Sequence, residues 1–155
     1  MKYTENKRPW TVLLLTALLV IYGIMGIVSG VMLIVDPSGG LLGFTEEYRE
    51  KVPFNSFLPV GLFLFCIYGI GPLLLAYGAI TRKEMAFEWA SEMTGRHWSW
   101  TGGLSLMVIL VAWLLVEGYL IGLDFAATYF TVAFGVAIFI ALMLPANVRY
   151  YKGAR

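Results

Sequence analysis

The 155-residue chain has one cysteine and one histidine. A lone Cys66 excludes an intrachain disulfide, a CxxC redox pair and a cysteine-rich zinc site, and in the middle of an apolar run it reads as a small packing residue. His97 alone cannot supply the two intramembrane imidazoles that would hold a haem within one chain. Charge is scarce as well: Asp, Glu, Lys and Arg make up 14% of the residues, against about a quarter in an ordinary soluble domain. No Lys or Arg falls inside a long apolar run, so neither a voltage sensor nor a fixed intramembrane anion site is expected. Glycine-rich phosphate loops, HExxH and GxSxG are absent. The basic residues are spread over three segments, which argues against nucleic-acid binding. No catalytic residue, metal site or cofactor is predicted.

What the chain does have is apolar length, with 59% hydrophobic residues. Four runs stand out, at 10–35, 55–80, 99–122 and 126–146. At 1.5 Å per residue each crosses a hydrocarbon core of about 30 Å. Backbone in lipid must satisfy its own hydrogen bonds, and the runs lack the alternation of barrel strands, so they are read as helices. The fold class is therefore all-α: a polytopic membrane protein with an antiparallel bundle of four transmembrane helices, forming one membrane domain over 1–155. The first run is too long for the apolar region of a signal peptide and no cleavage site follows it, so it is read as a retained span.

Lys and Arg set the orientation. Lys2, Lys7, Arg8, Arg82, Lys83, Arg96, Arg149, Lys152 and Arg155 fall on one side, and Arg49 and Lys51 on the other, a split of nine to two. Both termini are expected to be cytoplasmic, in a prokaryotic plasma membrane. Trp10, Trp98, Trp100 and Tyr150 then fall at the cytoplasmic boundary, where amphipathic rings prefer to sit.

The outer loop, 36–54, opens with the turn-forming run Asp36-Pro37-Ser38-Gly39-Gly40. Thr45 can cap a short helix in which Glu47 and Lys51 are spaced i to i+4, and Pro53 ends it. The loop is either a lid over the outer mouth of the bundle or a segment packed down on the helix ends. The cytoplasmic loop, 81–98, reads as a helix with Met85, Trp89 and Met93 on one stripe and Glu84, Glu88 and Glu92 beside it. This acidic stripe is either a docking face for a basic partner or a solvated extension of the second span, with Glu92 near Arg96. The connection between the third and fourth spans is only a few residues long and makes them an antiparallel hairpin.

Ile21-Tyr22-Gly23-Ile24 in the first span recurs as Ile67-Tyr68-Gly69-Ile70 in the second. Both copies put a tyrosine near the bilayer midplane. Gly26 and Gly30, and Gly118 and Gly122, have the spacing that lets helices approach closely. Pro72 denies a partner to the carbonyl of Tyr68, so a kink is expected in the second span.

Glu117 is the one acidic residue well inside a run, and intramembrane carboxyls are functional candidates by default. It shares a helical stripe with Gly103, Leu106, Leu110 and Trp113. Lying about one and a half turns from the outer end of its span, it has water, Arg49 and Lys51 as candidate partners. Ser29 of the first span, and Thr128 and Thr131 of the fourth, should stand at similar depth. These residues form either a polar pocket in the outer half, made of Glu117, Ser29, Thr128, Thr131 and Trp113, or an interhelical hydrogen bond that glues the bundle.

The landmarks Tyr22-Gly23, Asp36-Pro37-Ser38-Gly39-Gly40, Pro53-Phe54, Phe57-Leu-Pro-Val-Gly61, Gly71, Ala76-Tyr77-Gly78 and the Trp113–Glu117 segment resemble a broad group of small uncharacterised prokaryotic four-helix membrane proteins. The resemblance implies the helix count and a prokaryotic origin. It brings no activity and no catalytic residue.

The leading expectation is a non-catalytic accessory or assembly subunit that sits in the lipid bilayer and docks on other membrane proteins or on its own copies. The alternative is binding or transport of a lipid, quinone or small solute in an outer-half pocket containing Glu117. An intramembrane enzyme using Glu117 with Tyr22 or Tyr68 meets fewer of the requirements, because no positioned partner for the carboxyl is evident.

Overall fold

The computed structural model describes residues 8–83 and 87–152. Four helices are long and apolar enough to cross a membrane, which marks an integral membrane protein: α1 (Trp10–Val35), α3 (Leu58–Thr81), α5 (Trp98–Leu120) and α6 (Ala126–Met143). Two short α-helices lie in the connections, α2 (Glu46–Lys51) and α4 (Glu88–Thr94), and α7 (Pro145–Tyr151) follows the last span. Among the described residues the only β-type pairing is an isolated bridge between Arg96 and Lys152. In sequence order each long helix packs on the next, and α6 closes the ring on α1.

The closest seam is between α1 and α3, and glycine makes it possible. A Cβ on Gly26 would lie 2.2 Å from the backbone carbonyl of Tyr68, and one on Gly30 would lie 2.6 Å from the backbone nitrogen of Phe65. Backbone therefore meets backbone there, as the small-residue spacing predicts. Gly118 and Gly122 behave differently. A Cβ on Gly118 would meet only the Leu123 side chain, at 3.3 Å, and Gly122 has φ +89°. Its N–H donates to the carbonyl of Glu117, so it ends α5 in a glycine turn, and within the chain the pair seats no neighbouring helix.

Pro72 acts through the helix type. Residues Leu64–Ile70 of α3 are π-helical, and the N–H of Gly71 donates to the carbonyl of Cys66, five residues back. This wider turn accommodates the donor that Pro72 lacks.

The end of the bundle where α1 begins and α7 lies is tied by hydrogen bonds. Asn147, fully buried, accepts from the Thr11 hydroxyl at 2.6 Å and donates to the carbonyls of Ala141 at 2.7 Å and Thr11 at 3.2 Å. The indole N–H of Trp98 donates to the Lys83 carbonyl and that of Trp100 to the Leu142 carbonyl. Trp98 and Trp100 stand at the start of their span and are 4% and 6% exposed, so they are packed inside the protein there. Tyr150 is buried too, whereas Trp10 is 70% exposed and free to anchor. The guanidinium of Arg96 lies over the Trp100 ring at 4.1 Å, where a partnership with Glu92 was expected.

The segment 81–98 is not a continuation of the second span. Arg82 takes a left-handed φ of 51° and stops α3 at Thr81. Helix α4 begins afresh at Glu88 and packs on α5 through buried Ala90.

Candidate functional site

At the opposite end the bundle is not close-packed. A cavity of about 410 Å³ lies among all four long helices, under a roof formed by the connection between α1 and α3. Helix α1 gives it Tyr22, Gly26, Ser29 and Leu33, a single stripe at helical spacing. Helix α5 contributes Trp113, Val116, Glu117 and Leu120, and α6 contributes Thr128, Phe130 and Thr131. From α3 come Val60, Phe63, Leu64 and Tyr68. Helix α3 packs closely on α5 only through its Gly71–Thr81 half, so along Leu58–Ile70 the two backbones stand apart. The stacked rings of Phe63 and Trp113, 4.8 Å between centroids, bridge that gap.

The roof follows from its turn chemistry. Asp36 accepts from the Ser38 hydroxyl at 2.5 Å, the Ser38 N–H at 3.1 Å and the Leu41 N–H at 3.0 Å, while Gly39 takes φ +82°. These bonds, the Ser38 hydroxyl first, hold the Asp36 carboxyl below the usual aspartate range. The turn brings Phe44 back onto Phe57, stacked at 4.6 Å, and Phe125 closes edge-on at 5.2 Å. Helix α2 forms as expected, though the Thr45 side chain makes no capping bond. Its salt bridge to Lys51 at 2.8 Å holds the Glu47 carboxyl low and the Lys51 ammonium high.

Glu117 is the one formally charged side chain among the residues that line the cavity. The Thr128 hydroxyl donates to its Oε1 at 2.5 Å. Arg49 pairs with Glu46 and Lys51 with Glu47, so the two cations named as candidate partners for Glu117 are engaged on the loop instead. Ser29, Thr131 and Trp113 line the same cavity as Glu117 and Thr128. The five residues of the candidate cluster thus share one space.

Tyr22 and Tyr68 also line it, their rings edge to face at 5.7 Å. They are 2% and 3% exposed, and among the described residues neither hydroxyl has a hydrogen-bond partner. An unpaired buried hydroxyl is costly, and such groups in native structures call for an explanation.

The acidic stripe forms no part of this site. Glu88 and Glu92 are exposed on α4 at the other end of the bundle, beside exposed Trp89 and Met93, and Glu84 lies outside the described residues. Among the described residues no three of His, Cys, Asp and Glu converge. The aromatic wall of Phe44, Phe57 and Phe63 was not singled out from the sequence. In a chain that is 15% aromatic, nothing marks those rings among the others.

Comparison with family models, with curated proteins and with solved structures yields no match.

Proposed function

We propose that this integral membrane protein binds a small lipid-soluble ligand in the cavity containing Glu117. The observation that carries the proposal is the cavity itself. Its volume of about 410 Å³ falls in the range of small-molecule sites, about 300 to 1,000 Å³. Its walls are mostly apolar, and a few polar groups converge in it: the Glu117–Thr128 pair and the hydroxyls of Tyr22, Tyr68, Ser29 and Thr131. An apolar enclosure with few polar points is the usual build of such a site. The separation of α3 and α5 along Leu58–Ile70, spanned by the Phe63–Trp113 stack, is where a ligand would enter from the bilayer once those rings part. With both termini cytoplasmic, as the basic residues favour, the cavity opens in the outer half of a prokaryotic plasma membrane.

Filling the cavity tests this. Thr131→Trp introduces bulk into the space while leaving the Glu117–Thr128 bond in place. Native mass spectrometry of protein released from mild detergent is expected to show small-molecule adducts on the wild type that the variant lacks at equal thermal stability. Equal adducts on both proteins would refute the proposal.

The alternative, an accessory subunit docking on a second membrane protein or on its own copy, has as support the face of α4 that exposes Glu88, Trp89, Glu92 and Met93. Within the chain the Gly118 and Gly122 pair packs on no other helix. Recovery from native membranes as a partner-free monomer would count against this alternative.

A further inference from the structure

The cavity has a sign. Glu117 is the one acidic side chain that lines it, and no Lys, Arg or His is among the lining residues. The other side-chain polar atoms there are nearly all hydroxyl oxygens, two of them the buried, unpartnered phenols of Tyr22 and Tyr68. Each can accept a hydrogen bond or turn a lone pair toward positive charge.

The walls reinforce this. Four rings run in contact from Tyr22 through Tyr68 and Phe63 to Trp113, with successive centroids 5.7, 5.4 and 4.8 Å apart. Trp113 precedes Glu117 by one helical turn on the same stripe of α5. Aromatic faces carry negative potential and attract cations, most strongly where water is excluded. A carboxylate in apolar surroundings needs a counter-charge or neutralisation. Among the described residues no cationic side chain supplies one, since Arg49 and Lys51 pair with Glu46 and Glu47.

We infer that the ligand is a lipophilic cation: a protonated or quaternary amine on an apolar body. Glu117 is its counter-charge, and Trp113, Phe63, Tyr68 and Tyr22 form the surface against which it lies. This inference rests on the cavity being a ligand site and adds the charge of the ligand. An anion would meet the carboxyl and the ring faces with no compensating base. A neutral ligand of equal shape would leave the carboxyl without a counter-charge.

The test compares phenyltrimethylammonium with tert-butylbenzene, which has the same shape and no charge. Binding to the full chain in phosphatidylcholine nanodiscs is followed by ligand-detected NMR, with empty nanodiscs as the blank. The cation is expected to bind at least about tenfold more tightly, the scale of one desolvated cation–π contact. Glu117→Gln keeps an oxygen to accept from Thr128 and leaves the ring surface in place, so it should reduce the preference for the cation about threefold or more without reversing it. Equal affinities in the wild type would overturn the inference and leave the binding cavity standing. If neither compound binds, both readings fall. A Glu117→Gln protein that keeps the full preference for the cation would overturn the role of the carboxyl. The wild-type comparison decides even where that variant does not fold.

Discussion

Gly26→Ala sets two effects of opposite sign against each other. Replacing glycine by alanine inside a helix gains about 1 kcal/mol of helix propensity. At position 26 the new methyl would lie 2.2 Å from the Tyr68 carbonyl, where ordinary contact begins at 3.4 Å, so α1 and α3 would have to part by about 1.2 Å. The obstacle is backbone and cannot turn aside as a side chain can. A gap of about 0.5 to 1 Å already forfeits a quarter to a half of each contact's attraction. Gly30 lies against Phe65 and Gly69 against Ile27 along the same seam, so the loss spreads beyond one residue. Overpacking costs about 1 to 3 kcal/mol, and with rigid backbone as the obstacle this site falls at about 2 to 3 kcal/mol. It therefore exceeds the propensity gain, and the net expectation is a loss of about 1 to 2 kcal/mol. Reversible unfolding in mixed micelles, followed by circular dichroism, measures it. Gly118→Ala is the control: its nearest neighbour is the Leu123 side chain at 3.3 Å, which can yield, so the variant should be neutral or up to about 1 kcal/mol more stable. A Gly26→Ala protein as stable as the wild type would refute the argument.

Asn147→Ala removes three hydrogen bonds that join α1, α6 and α7 and leaves buried partners unmet, so a loss of about 2 to 3 kcal/mol is expected in the same titration. A loss below about 0.5 kcal/mol would show that the network contributes little. The roof should respond to acid. The Asp36 carboxyl is held below its ordinary value of about 4, so its contribution is complete above that value and is lost as pH falls through the lower folded-state value. Hydrogen exchange at the Leu41 amide reads this directly: protection should fall in that acidic window and be lower at neutral pH in Asp36→Asn. An amide equally protected throughout would exclude the carboxylate as the anchor of the turn.

The four spans were legible because length and apolarity are all that crossing a bilayer requires. Which face of each span packs inward was much harder to read. Lipid and protein interior are equally apolar, so hydrophobic residues surround these helices on all sides and carry no orientation. Only residues that are costly or very small mark a face. Glu117 and Thr128 met because a carboxyl in an apolar setting needs a donor, and Gly26 and Gly30 met α3 because a larger side chain would not fit. The same signal misleads when a glycine serves a turn, as Gly122 does. The burial of Trp98 and Trp100 was not legible because an indole suits the membrane boundary and a hydrogen-bonded core equally well. Asn147, which ties three helices, falls just past the end of the last apolar run, where nothing in the sequence marks it.

The π-helical stretch of α3 has a consequence for how sequences of this shape can vary. A π turn holds about one residue more than an α turn, so Leu64–Ile70 absorbs a surplus residue while Phe63 still faces Trp113 and Leu75 still faces the core. Loss of one residue there would restore an ordinary α-helix and leave the phase of both halves nearly intact. The same loss inside α5 would rotate everything beyond it by about 100° and carry Glu117 away from Thr128. In an alignment of chains built this way, single-residue gaps belong in the middle of the second span and nowhere in the third.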